Sequence, residues 1–119
     1  MDNYSVLMSV YHKEKADFLR ESMDSIWNQT IPTNDFVLVC DGPLNSELDS
    51  VISEMESAHP GVLNVIRLEK NGGLGNALNI GIKRCKNELI ARMDSDDISY
   101  PDRCERQLKI FATMPEVDL

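Results

Sequence analysis

Asp94, Asp96 and Asp97 crowd the segment "DSDD", directly after the apolar run "ELIARM" (Glu88–Met93). Carboxylates this close repel one another and raise each other's pKa unless a cation joins them. Hard divalent ions such as Mg2+ or Mn2+ take oxygen ligands and are typically held by one or two carboxylates together with substrate phosphates. The pattern therefore points to a metal held by Asp94, Asp96 and Asp97 and bridged to a diphosphate. A second segment, "NGGLGNALNIG", places Gly72, Gly73 and Gly75 just before or inside a helix start. Backbone can approach a ligand closely there, and a helix N-terminus favours an anion.

Each feature also has a plain reading. "DSDD" alone is equally an acidic turn that caps the next helix. Asp41-Gly42-Pro43 is by itself an ordinary turn. "GGLG" is not a GxGxxG, and a lone Gly-rich turn is weak evidence. Tyr11 is compatible with a half-buried sheet aromatic, and His12 with a solvated loop residue. Their convergence decides, and convergence depends on the elements that carry them.

Four short apolar runs read as strands: "VLMSVY" (Val6–Tyr11), "FVLVC" (Phe36–Cys40), "VLNVIRL" (Val62–Leu68) and "ELIARM". Continuous apolar runs of this length suit strands buried on both faces, as in a parallel sheet. Helical spacing fills the gaps. Leu19, Met23 and Ile26 share one face beside Trp27, and Leu48, Val51, Ile52 and Met55 share another. Leu74, Ala77, Leu78, Gly81, Ile82 and Cys85 form a third face; Cys104, Leu108, Phe111 and Ala112, after Pro101, form a fourth. Strands alternating with helices predict a three-layer α/β/α, Rossmann-like domain with a mainly parallel sheet of order 3-2-1-4. Its ligand crevice lies beyond the carboxyl ends of the strands, at the switch point between strands 1 and 4. Those ends carry Ser9, Tyr11 and His12; Asp41 and Gly42; Lys70, Asn71, Gly72 and Gly73; and Asp94, Ser95, Asp96 and Asp97. An aromatic ring, a lone carboxylate, a glycine turn and a carboxylate cluster on one edge are the parts of a nucleotide–metal site.

Composition sets the outer limits. The chain has 119 residues, 42% of them hydrophobic, which suits one compact domain with a core. Asp and Glu number 20 against 12 Lys and Arg, a formal charge of −8. That balance argues against nucleic acid as a partner. It leaves room for a nucleotide, because a metal supplies positive charge locally. Cys40, Cys85 and Cys104 form no CxxC pair and are odd in number, so they read as reduced core thiols in a cytosolic protein. The sequence contains no signal-peptide pattern and no run long and apolar enough for a membrane span.

With these residues in place, the sequence resembles the inverting glycosyltransferases of family 2, which have the GT-A fold and use nucleotide-sugar donors. "SVLMSVYHKEKADFLRESMDSIWNQT" looks like the family's opening strand and helix. "FVLVCDG" resembles its second strand, "NGGLGNALNIGI" its mid-domain loop and helix, and "ARMDSDDISYPDRCERQ" its DxD segment. The resemblance implies that Tyr11 lies against the base or ribose, Ser9 at the base pocket, and that Asp41 accepts from a ring N–H of the base. Asn71 and Gly73 belong to the donor loop. Asp94 and Asp96 face the ribose and diphosphate, and Asp96 or Asp97 ligates Mn2+ or Mg2+. A UDP-sugar is the favoured donor and a carbohydrate or glycolipid hydroxyl the acceptor.

There are departures. Leu78 stands where many relatives have Arg, leaving Lys70 or Arg92 to supply a cation near the donor. "MPEVDL" looks like the point where relatives begin their next strand. Residues 1–119 are thus read as the donor-binding domain alone. On this reading the acceptor half and its general base fall beyond Leu119, no catalytic base lies in the chain, and it transfers no sugar alone. The missing parts could attach it to the cytoplasmic face of a membrane, and the apolar surface left behind could drive homodimerisation.

Two rivals weigh less. Nucleotidyltransferases carry a Gly-rich, basic loop after strand 1, whereas this chain has "YHKEKAD" there. Receiver-type signalling modules cluster acids after strand 1, whereas here the triplet follows strand 4.

Overall fold

A computed structural model describes residues 3–95 and 104–106. Its elements run β1 (Ser5–Val10), α1 (Ala16–Trp27), β2 (Asp35–Cys40), α2 (Ser46–Ala58), β3 (Leu63–Arg67), α3 (Leu74–Arg84) and β4 (Ile90–Asp94). The four strands form one parallel sheet of order β3-β2-β1-β4, as the sequence predicts. Residues 104–106 are helical; the rest of the predicted fourth helix lies outside the described residues.

The order explains the layers. The chain steps from β1 to β2 to β3 in one direction, so α1 and α2 fall on the same face of the sheet. The return from β3 across to β4 reverses the direction and places α3 on the other face. The core divides accordingly. Val6, Met8, Val10, Phe36, Leu38 and Cys40 alternate along β1 and β2 toward Leu19, Met23, Ile26, Leu48 and Ile52. Leu7, Val37 and Val39 point the opposite way, toward Ala77.

Two sequence expectations change. Only β1 and β2 are buried along nearly their whole length; β3 is half-buried and β4 alternates. Among the described residues, these outer strands have a neighbour on one side only. In α3 the buried residues are Ala77 and Gly81, while Leu74 and Ile82 are exposed. Small side chains let the helix sit close to the sheet, which narrows its buried face.

The amino ends of the strands hold a polar knot with no counterpart in the sequence reading. Asp35 is fully buried, yet its carboxylate accepts from Ser5 Oγ at 2.7 Å, Asn64 Nδ2 at 2.8 Å and the Lys86 backbone N–H at 2.8 Å. Those donors satisfy a group that would otherwise be costly to bury. The knot ties β1, β2 and β3 to the α3–β4 loop, at the end of the sheet away from the strand carboxyl ends.

None of the three cysteines forms a disulfide, and Cys40 and Cys104 are buried as expected. Burial pushes the Cys40 thiol up to about 11, the Arg67 guanidinium partly offsetting it. An exposed thiol titrates near about 8.5. Between these values the folded protein keeps a proton that the unfolded chain releases. This contribution is complete below about pH 8.5 and is lost as pH rises through the folded value. Cys85, half-buried, is pushed the same way by burial and by Asp35. Chemical denaturation from pH 8 upward should show stability falling toward about pH 11, with Cys40→Ala giving a shallower slope. A slope unchanged in that variant would remove Cys40 as a cause.

Candidate functional site

Beyond the carboxyl ends of β1, β2 and β4 lies a cleft of about 490 Å3, lined by Ser9, Tyr11, Glu14, Asp41, Asn71 and Asp94 together with Val10, Gly73, Leu74 and Ser95. Its volume matches small-molecule sites, which span about 300–1,000 Å3. It sits where the strand order reverses, and parallel pairing sets its walls. Ser9 of β1 is in register with Asp94 of β4 and with Val39 of β2. Asp41 follows directly, its N–H donating to the Val10 carbonyl at 2.8 Å.

Ser9, Tyr11, Asp41, Asn71, Gly73 and Asp94 all line this one cleft. Asp96 and Asp97 lie outside the described residues. Among the described residues, no group of three His, Cys, Asp or Glu side chains is placed to hold a metal. Lys70 and Arg92 do not line the cleft.

Asp41 is placed differently from a free turn carboxylate. It is 5% exposed, and its oxygens accept from the Gly72 N–H at 2.8 Å and the Gly73 N–H at 3.1 Å. It thereby ties the end of β2 to the glycine loop before α3. Gly42 enables that tie. Its φ is +93°, and a Cβ there would lie 2.8 Å from the Asn71 nitrogen. Gly73, at φ +92°, turns the loop into α3. A carboxylate offers about four lone-pair directions, so two remain for a ligand.

Glu14, Leu74 and Ser95 complete the lining without having been singled out as site residues. Glu14 closes a turn, its N–H donating to the Tyr11 carbonyl at 3.1 Å, and its side chain accepts from Ser95 Oγ at 2.5 Å. Leu74, 57% exposed at the start of α3, gives the cleft an apolar wall facing solvent, as does Tyr11 at 44%. A large apolar residue exposed beside polar groups is the signal that could have found Leu74. Glu14 carried none, since an acid in "HKEKAD" looks solvated.

The crevice brings the Tyr11 ring, the Asp41 and Asp94 carboxylates and the start of α3 around one space. Sequence comparison decides which family built it. The family model for Glycosyl transferase family 2 matches residues 5–118. The chain belongs to glycosyltransferase family 2. It is 43% identical over 116 residues to the amylovoran biosynthesis glycosyltransferase AmsE of Erwinia amylovora, covering 98% of this chain and 43% of that protein. It is 41% identical over 104 residues to an Escherichia coli UDP-Gal:alpha-D-GlcNAc-diphosphoundecaprenol beta-1,3-galactosyltransferase, covering 86% of this chain and 36% of that protein. The chain thus spans less than half the length of these relatives.

The fold agrees with the family. S. aureus TarS 1-349 in complex with UDP superposes with a TM-score of 0.78 at 25% identity, over 94% of this chain and 32% of that one. A Pyrobaculum calidifontis mannosyltransferase in complex with GDP-Man and Mn2+ superposes with a TM-score of 0.81 at 21% identity, over 92% and 32% of the two chains; it speaks to the fold alone. The sheet of this family 2 chain is the Rossmann-like, GT-A arrangement expected from its sequence. No helix of the described residues is long and apolar enough to cross a membrane.

Proposed function

We propose that the protein carrying this chain is a metal-dependent glycosyltransferase. It moves a sugar from a nucleoside-diphosphate sugar to an acceptor hydroxyl with inversion, and residues 1–119 form its donor-binding part. The observation that carries this is the cleft itself: Ser9, Tyr11, Asp41, Asn71, Gly73 and Asp94 line one cavity at the switch point of a family 2 sheet. In this reading Tyr11 lies against the base or ribose and Ser9 floors the base pocket. Asp41 accepts from a base N–H with its remaining lone pairs. Asn71 and Gly73 present the glycine loop, and Asp94 faces the ribose and diphosphate. The base is uracil by preference, in keeping with the UDP-Gal of the E. coli relative's name and the UDP bound by TarS.

The donor set suits a hard cation. Asp94 brings carboxylate oxygens to the cleft wall, and Asp96 and Asp97 follow it in the chain. When bound, Mn2+ or Mg2+ supplies the positive charge that a departing diphosphate needs and that a chain of charge −8 lacks. The protein's own part is to hold the base, align the ribose and exclude water from the diphosphate. The acceptor-side base is assigned to the remaining length that the relatives have.

Calorimetric titration with uridine, guanosine and adenosine diphosphates, each with and without Mn2+, tests this. Binding of uridine diphosphate should tighten with Mn2+. The double change Asp96→Asn with Asp97→Asn should remove that gain while the fold survives. Equal affinities for all bases, or a Mn2+ gain that persists in the double variant, would sink the corresponding assignment.

A further inference from the structure

Ser95, which separates Asp94 from Asp96, is held from two directions. Its hydroxyl donates to Glu14 Oε2 at 2.5 Å, and its backbone carbonyl accepts from Ser22 Oγ at 2.7 Å. Glu14 comes from the β1–α1 loop and Ser22 from within α1, and Ser95 is 7% exposed. Neither partner is loose. Ser22 is fully buried, and its hydroxyl also lies 3.0 Å from the Leu19 carbonyl of its own helix. Glu14 Oε1 accepts from the Lys15 backbone N–H at 3.0 Å, and the loop is held further on by Asn45 Nδ2, which donates to the His12 carbonyl at 3.3 Å. Asn45 caps α2 through Leu48 N–H at 2.9 Å, so that hold is itself anchored.

The Ser22 hydroxyl has one proton to donate, and the Ser95 carbonyl at 2.7 Å is closer to it than the Leu19 carbonyl at 3.0 Å. A core serine commonly bonds back to its own helix; here the proton reaches across 73 positions to a turn backbone, which makes the bond a positional constraint. The same holds for Glu14: a half-exposed carboxylate could stay in water, yet it spans 81 positions to a hydroxyl at the carboxyl end of β4.

We propose that Glu14 and Ser22 are positioning residues that clamp Ser95, and so fix the direction in which the Asp94 carboxylate enters the cleft and tie it to the Tyr11 loop. This deepens the donor-site reading above and rests on it. The clamp acts on the diphosphate and metal side of the cleft, while Asp41 and the glycine loop are held by bonds of their own. Loss of the clamp should weaken chiefly the part of nucleotide affinity that Mn2+ adds.

Two measurements on the intact protein separate the possibilities. Amide hydrogen exchange at Ser95 and its neighbours reports the clamp without any ligand. Titration of uridine diphosphate with and without Mn2+ reports its consequence. Glu14→Ala and Ser22→Ala should each speed exchange at this turn. Each should reduce the Mn2+-dependent affinity about tenfold, the equivalent of one charge-assisted or buried hydrogen bond. Metal-free affinity should hold in Ser22→Ala, whose side chain lies outside the cleft lining. Glu14→Gln, whose amide oxygen still accepts from Ser95 while its NH2 faces the Lys15 N–H, should restore part of the loss. Unchanged exchange would show that no clamp exists. Faster exchange with intact Mn2+-dependent affinity would overturn the positioning role. If the unaltered protein showed no Mn2+-dependent nucleotide binding, the donor-site reading would fall, and the positioning role with it.

Discussion

Asp41→Ala should weaken uridine diphosphate binding about 10- to 150-fold, the loss of a charge-assisted hydrogen bond of roughly 1.5–3 kcal/mol. Two mechanisms add to that loss. The direct one is the base contact: uracil N3–H is a donor, and the carboxylate has lone pairs left over after accepting from Gly72 and Gly73. The indirect one is the loop. Without the carboxylate, the Gly72 N–H loses its partner, the Gly73 N–H keeps only Asn71 Oδ1 at 3.2 Å, and the side-chain tie from the Asn71–Gly73 wall of the cleft to the end of β2 is lost. Stability should therefore fall as well, by about 1.5–3 kcal/mol for each such bond that water does not replace. Asp41→Asn is the informative companion. Its amide retains one acceptor but turns an NH2 toward a backbone N–H, so rescue should be partial at best. The Mn2+ requirement should hardly change in either variant. If Asp41→Ala lost stability yet bound uridine diphosphate normally, Asp41 would be a loop tether and nothing more. If guanosine diphosphate bound more tightly than uridine diphosphate to the unaltered protein, the base preference would be reversed while the role of Asp41 stood.

Gly81→Val should destabilise the fold severely, and the reason lies in how α3 meets the sheet. A Cβ at Gly81 would lie 2.3 Å from Leu7 Cδ1 and 2.9 Å from Val39 Cγ2. Both neighbours are fully buried in the middle of β1 and β2. Leu7 could turn aside only into packed core, and Val39 is stiff at χ1. Overpacking of this kind costs about 1–3 kcal/mol or more. For Gly81→Ala the better helix propensity returns up to about 1 kcal/mol, so the net loss should be modest. Valine returns less, adds two methyl groups and exceeds what the interface can absorb. Gly75 is the control with the opposite sign. It lies in the same helix with nothing within 4 Å of a Cβ. Gly75→Ala should leave stability unchanged or raise it by up to about 1 kcal/mol. Denaturant midpoints of the three variants check this; a Gly81→Val protein as stable as the parent would show that α3 sits further from the sheet.

Those two glycines illustrate the line between what sequence and structure decide. The alternation of apolar runs and helical faces is a local property, set by side-chain periodicity. It determined the element order, and the handedness of crossovers then left 3-2-1-4 as the sheet order. Once the order is known, Ser9, Asp41, Gly73 and Asp94 must share an edge, because each follows or ends a strand of one parallel sheet. Hence the position of the cleft and the family were legible in residues such as "CDG", "NGGLG" and "DSDD". The identity of the contacts was not. Asp41 meets Gly72 across 31 positions, Ser22 meets Ser95 across 73, and Glu14 meets Ser95 across 81. No periodicity encodes such pairs; they depend on strand register, loop path and rotamer together. The same limit applies to Asp35, which reads as a turn acid in "TND" and becomes a buried knot only when β1, β3 and the α3–β4 loop close around it. It applies to α3 as well. Leu74, Ala77, Leu78, Gly81 and Ile82 repeat as one apolar face, yet only the small members Ala77 and Gly81 are fully buried against the sheet; Leu78 packs at its edge, and Leu74 and Ile82 stay exposed, because the helix sits close to the sheet.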